Sequence, residues 1–65
     1  MIFEVTIDGD VYKYELIKVD SKLRPIFTPI GDNIATGRIL EQCILDCEMQ
    51  WRVQVGKAAR SILGF

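Results

Sequence analysis

The sequence predicts an α+β domain: an antiparallel β-hairpin, with a possible short third edge strand, packed against one long C-terminal amphipathic helix. Three patterns carry that prediction. Two runs of alternating apolar residues, 2–7 and 11–16, flank Asp8-Gly9, a two-residue hairpin signal. Pro25 and Pro29 then mark an extended piece that is barred from the middle of a sheet. Finally, Leu40, Cys43, Ile44, Cys47, Trp51, Val55, Ala58 and Ile62 recur every three or four residues, the period of one buried helix face.

In the hairpin (2–19), Phe3, Val5 and Ile7 share one face and Glu4 and Thr6 the other. A loop at Asp8-Gly9 sets Glu4 against Lys13, Phe3 against Tyr14 and Val5 against Tyr12, whereas a loop at Gly9-Asp10 would set Glu4 against Glu15. Like charges directly opposite are destabilising, so the first register is preferred, by tenths of a kcal/mol up to roughly one. The face bearing Phe3, Val5, Ile7, Tyr12, Tyr14 and Leu16 is expected beneath the helix. Ile17 and Val19 would then join Ile2 and Val11 on the opposite face, which is too apolar to be wholly solvated. Either the strand bulges near Leu16 and Ile17 or something else covers that face.

Residues 20–33 read as a turn at 20–22 and a proline-limited extended segment, an edge strand or packed connector. Gly31, Asp32 and Asn33 form a loop cluster with capping potential, so the helix (34–63) is expected to begin between Asp32 and Thr36, with Gly37 weakening its first turn and Gly56 a place where it could break. A strand competes for part of it. Met49, Trp51, Val53 and Val55 alternate with Gln50, Arg52 and Gln54, and three of those apolar residues favour β-structure. The helical reading is preferred because the eight-residue stripe crosses the segment without a change of phase and Glu48 with Arg52 makes a favourable i,i+4 pair.

As one helix, residues 36–63 would span about 40 Å at a rise of about 1.5 Å per residue. A compact globule of this length is roughly 22 Å across. An overhanging helix wants something to lie against. Composition points the same way: 65 residues suit one small domain that buries about 60% of its unfolded surface, and 49% hydrophobic residues with a mean hydropathy of +0.18 are high for so small a globule. Some apolar surface is therefore expected to meet another protein or a second copy, giving a homodimer.

A net charge of -1 provides no global field for gathering nucleic acid or anionic lipid. No apolar run approaches the ~20 residues needed to span a bilayer, and the N-terminus lacks the basic and apolar regions of a signal peptide. With Cys43 and Cys47 poorly placed for an internal disulfide, the expectation is a cytoplasmic protein with reduced thiols and no membrane partner.

Catalytic chemistry is poorly supplied. Histidine is absent, which removes the commonest general base and the usual partner of a serine or cysteine nucleophile. Asp8 and Asp10 are a pair of carboxylates, but turns favour aspartate for backbone reasons. Cys43 and Cys47 lie one helical turn apart, so two copies would offer four thiolates to zinc or an iron-sulfur cluster; one chain offers only two, and both fall in the apolar stripe, where cysteine packs as a small hydrophobe. Gly56-Lys57 lacks the upstream glycine and adjacent Ser or Thr of a phosphate loop. The expectation is therefore no enzyme, no metal and no cofactor.

The most suggestive surface is the basic, amphipathic run 51–65, with Trp51, Arg52, Val55, Lys57, Arg60, Ile62, Leu63 and Phe65 as its partner-binding candidates. Arg52, Lys57 and Arg60 have no acidic residue among or after them, enough for about three phosphate contacts per chain. The plainer alternative is a helix C-terminus whose cations complement the dipole while its apolar groups pack on the sheet. Trp51, set within the stripe, is expected at the centre of the core. The functional expectation is a small non-catalytic regulatory or inhibitory protein that binds another protein, with a nucleic-acid-binding regulator as the alternative.

Overall fold

The computed structural model describes the backbone of residues 1–63 and the side chains of residues 1–57. Its elements are β1 (Ile2–Ile7), β2 (Asp10–Val19), β3 (Pro25–Ile30) and α1 (Gly37–Leu63). The strands form one antiparallel sheet in the order β1-β2-β3, and α1 packs across one face of it.

The first hairpin takes the expected register, with Phe3 opposite Tyr14, Glu4 opposite Lys13 and Val5 opposite Tyr12. Its loop is Asp8-Gly9, with φ of 51° and 84°. Positive φ at both central residues gives the loop the twist that paired strands require. Phe3, Val5 and Tyr14 are buried beneath the helix, with Ile7, Tyr12 and Leu16 half-buried around them.

The ladder explains where the prolines are tolerated. Leu16 N–H donates to the Met1 carbonyl at 3.0 Å, so these two face each other as a hydrogen-bonded pair. Alternation then makes Phe3 with Tyr14 a bonded pair and Glu4 with Lys13 an unbonded one. Tyr14 accordingly directs its backbone groups toward β1, and Pro29, opposite it on β3, turns its nitrogen outward. The donor that proline lacks is one that the ladder does not use. β3 is thus the proline-bearing edge strand that the sequence allowed.

A bulge lies between Leu16 and Lys18: Leu16 faces Phe27 but Lys18 faces Ile26, leaving Ile17 unpaired. The extra residue resets the alternation. Ile17 stays on the open face, 59% exposed, while Val19, opposite Pro25, returns by register to the helix side. Of the two readings of this face, the bulge near Leu16 and Ile17 is the one that forms, and its one-residue shift takes Val19 off the open face.

The β2–β3 connection is organised by Asp20. Its carboxylate accepts from Lys22 N–H at 3.0 Å and from Arg24 N–H at 2.8 Å, and pairs with the Arg24 guanidinium at 3.0 Å. These contacts, the Arg24 N–H first, together hold its carboxyl below the ordinary range and outweigh the opposing effect of desolvation. Leu23 closes the turn at φ 60°, a left-handed conformation.

Helix α1 starts at Gly37, and the Leu40 N–H donates to the Thr36 carbonyl at 3.3 Å. It is helical through 49–55, so the competing strand does not form, and it runs through Gly56 without a break. Cys43 and Cys47 are fully buried, and Ala35, just before the helix, completes the buried set with Phe3, Val5 and Tyr14. The rings of Phe3 and Phe27 meet edge to face at 5.3 Å beneath them.

Three stripe positions depart from expectation. Leu40 is 37% exposed and Ile39 packs on the core in its place. Trp51 is half-buried at the border of the core rather than at its centre, and Val55 is 48% exposed. The physical reason is length: the helix continues past the end of the sheet. Ala58 and Ile62 belong to the same stripe in sequence, and their side chains lie outside the described residues.

Candidate functional site

The overhang of α1 begins where the sheet ends. Gln50 is half-buried and donates its side-chain amide to the Glu4 carbonyl at 3.0 Å, covering an acceptor that points off the β1 edge. Trp51 is the last described helical residue that packs on the core. Beyond it, Arg52, Val53, Gln54, Val55, Gly56 and Lys57 are all exposed.

Of the partner-binding candidates, Trp51 and Val55 border a shallow apolar groove of about 290 Å³ between the overhang and the sheet end, shared with Met1, Leu16 and Gln54. Arg52 and Lys57 are exposed on other sides of the helix. Arg60, Ile62, Leu63 and Phe65 fall outside the residues whose side chains are described. The expected Glu48–Arg52 pair does not form; among the described residues the ion pair present is Arg24 with Asp20. Asp46 instead accepts from the Gln42 amide at 3.2 Å along the helix surface.

A second apolar stripe occupies the far side of the helix. Leu45, Met49 and Val53, spaced by four, are 56%, 63% and 56% exposed. These are the residues that sequence reasoning missed, though the signal was present. Met49, Trp51, Val53 and Val55 alternate as in a strand, but in a helix two residues correspond to about 200° of rotation. The alternation therefore sorts Trp51 and Val55 toward the sheet side and Met49 and Val53 onto the opposite one. Beside this outer stripe runs a shallow groove of about 480 Å³, lined by Asp46, Met49, Gln50, Val53, Gln54 and Lys57.

The chemistry-bearing groups inside the fold are Cys43, Cys47 and Tyr14. Burial pushes the Cys47 thiol up to about 11, with the neighbouring Cys43, Asp46 and Glu48 adding to it. A thiol held protonated packs as a small hydrophobe and is a poor nucleophile. Burial also pushes Tyr14 up to about 12, the Cys43 thiol beside it contributing, and its hydroxyl has no hydrogen-bond partner in acceptable geometry. Asp8 and Asp10 are both exposed, Asp8 in the turn and Asp10 opposite Ile7 at the start of β2. Among the described residues no three His, Cys, Asp or Glu groups gather as a metal site would require, and no helix is long and apolar enough to cross a membrane. What the geometry supplies is surface: a helix apolar on two sides, only one of which the sheet covers.

No protein-family model, no curated protein and no solved structure gives a significant match to this chain.

Proposed function

We propose that this chain is a small, non-catalytic, cytoplasmic regulatory or inhibitory protein that acts by binding another protein and associates with a second copy of itself. The observation that carries this reading is the uncovered apolar surface. Lining the overhang are Met49, Val53 and Val55, each about half exposed or more, apolar side chains whose burial would favour association.

A tagged pull-down from lysate of the source cell, with and without nuclease, tests it. Capture of one stoichiometric protein that survives nuclease is the expected result. Partners that vanish with nuclease would overturn it in favour of a nucleic-acid-binding regulator. That second reading draws on Arg52 and Lys57, both exposed and neither ion-paired among the described residues, with Arg60 adding a third cation in sequence. Nucleic-acid binding unchanged after alanine replacement of all three would remove it.

A further inference from the structure

Among the described residues, the groove beside the outer stripe of α1 has a lining that is spaced alike from both ends. Its residues are Asp46, Met49, Gln50, Val53, Gln54 and Lys57, with spacings of three, one, three, one and three. A twofold axis at its midpoint therefore brings position 46 of one helix to position 57 of another, and the 49/50 pair to the 53/54 pair. The charges at the two ends are opposite: Asp46 at one, Lys57 at the other. An antiparallel copy thus lays Lys57 over Asp46 at both ends, whereas a parallel copy lays like on like.

From this self-complementarity we propose that a second copy of this chain docks on the outer face of α1, the two helices antiparallel and crossing near residues 51 and 52. Met49 and Val53 of each copy seat against Val53 and Met49 of the other, and Asp46 of each faces the other's Lys57. This proposal deepens the self-association in the reading above by naming its face and register. Ridges spaced by four are the commonest basis of helix packing, and Leu45–Met49–Val53 forms one beside Asp46–Gln50–Gln54, with the groove between them. An isologous contact closes on itself as a dimer rather than a filament. Competing faces are less suited: β3 places Pro29 on its free edge, and Gln50 covers part of the β1 edge.

The test is charge exchange on the full chain, read by sedimentation equilibrium over a concentration series reaching the high micromolar range. The native chain is expected to reach twice its 7.4 kDa mass. Asp46→Lys places lysine opposite lysine at both ends of the interface, and Lys57→Asp places aspartate opposite aspartate, so each is expected to weaken dimerisation about tenfold or more. The double exchange, and an equimolar mixture of the two single variants, are expected to recover it to within about threefold. Both positions are on the helix surface, and unchanged circular dichroism of each variant keeps a folding defect apart from a lost contact.

A native chain that stays at single-chain mass throughout overturns the proposal, and if the pull-down still captures a foreign protein, the protein-binding reading survives it. A dimer indifferent to both single exchanges also overturns it, while leaving self-association through another face intact.

Discussion

Tyr14 carries its hydroxyl into the core at 1% exposure and leaves it without a partner. A buried donor of this kind costs about 1–3 kcal/mol relative to a satisfied one. Tyr14→Phe is therefore expected to raise stability by about 1 kcal/mol in urea unfolding; a loss of that size would mean that the hydroxyl is bonded in solution. Titration supplies a second reading of the same core. Tyr14 and Cys47 each hold a proton more tightly in the native state than in the unfolded chain, so the native state binds more protons between the two values. Their contributions are complete below about pH 9 and are lost between 9.0 and about 11 for Cys47 and between 10.0 and about 12 for Tyr14. Stability should fall with rising pH through that window, and Tyr14→Phe should remove the upper part of the loss.

At the scale of the elements, the two hairpins solve the same problem unequally. Asp8-Gly9 uses residue types that accept positive φ, whereas the β2–β3 turn puts Leu23 at φ 60° with 77% of its surface exposed. A left-handed conformation costs a branched residue about 1–2 kcal/mol, and so exposed a side chain recovers little of it by packing. Leu23→Gly gives up some of that gain to the greater freedom of glycine in the unfolded chain, leaving an expected stabilisation of about 0.5–1 kcal/mol by denaturant midpoint. A destabilised variant would show that Leu23 makes a contact in solution that offsets its strain. The bulge at Ile17 acts at this scale too, since one unpaired residue decides which face Val19 joins.

For the whole molecule, the governing quantity is the mismatch between a 27-residue helix and strands of six to ten residues. The helix sets a long axis of 39 Å and a radius of gyration of 13.1 Å, against about 10.7 Å for a compact chain of this length. If the overhang is completed by a second copy, folding and association are linked. The thermal unfolding midpoint should then rise with protein concentration. A midpoint that is constant over a wide concentration range would place the fold's stability in the single chain. Because the contact proposed for α1 joins exposed charges, its contribution should weaken as salt is raised.

Local pattern was enough to read the first hairpin, its register and the existence of one long helix, while it left the proline-bearing segment open between an edge strand and a packed connector. Each rests on interactions among near neighbours: Asp8-Gly9 dictates a turn, the turn dictates the pairing, and a period of three to four dictates a helix face. Which part of that face is buried is another matter, because burial is set by where the sheet stops. Trp51 and Val55 continue the periodicity of Cys43 and Cys47, yet among the described residues the core ends at Trp51. The outer stripe was hidden for a related reason, since strand-like alternation and a two-sided helix give the same string of residues until the backbone fixes the angle between successive side chains. The sequence by itself determined the elements and the apolar surplus; the tertiary structure decided which side of the helix the surplus lies on, because only three-dimensional packing shows what the sheet is long enough to cover.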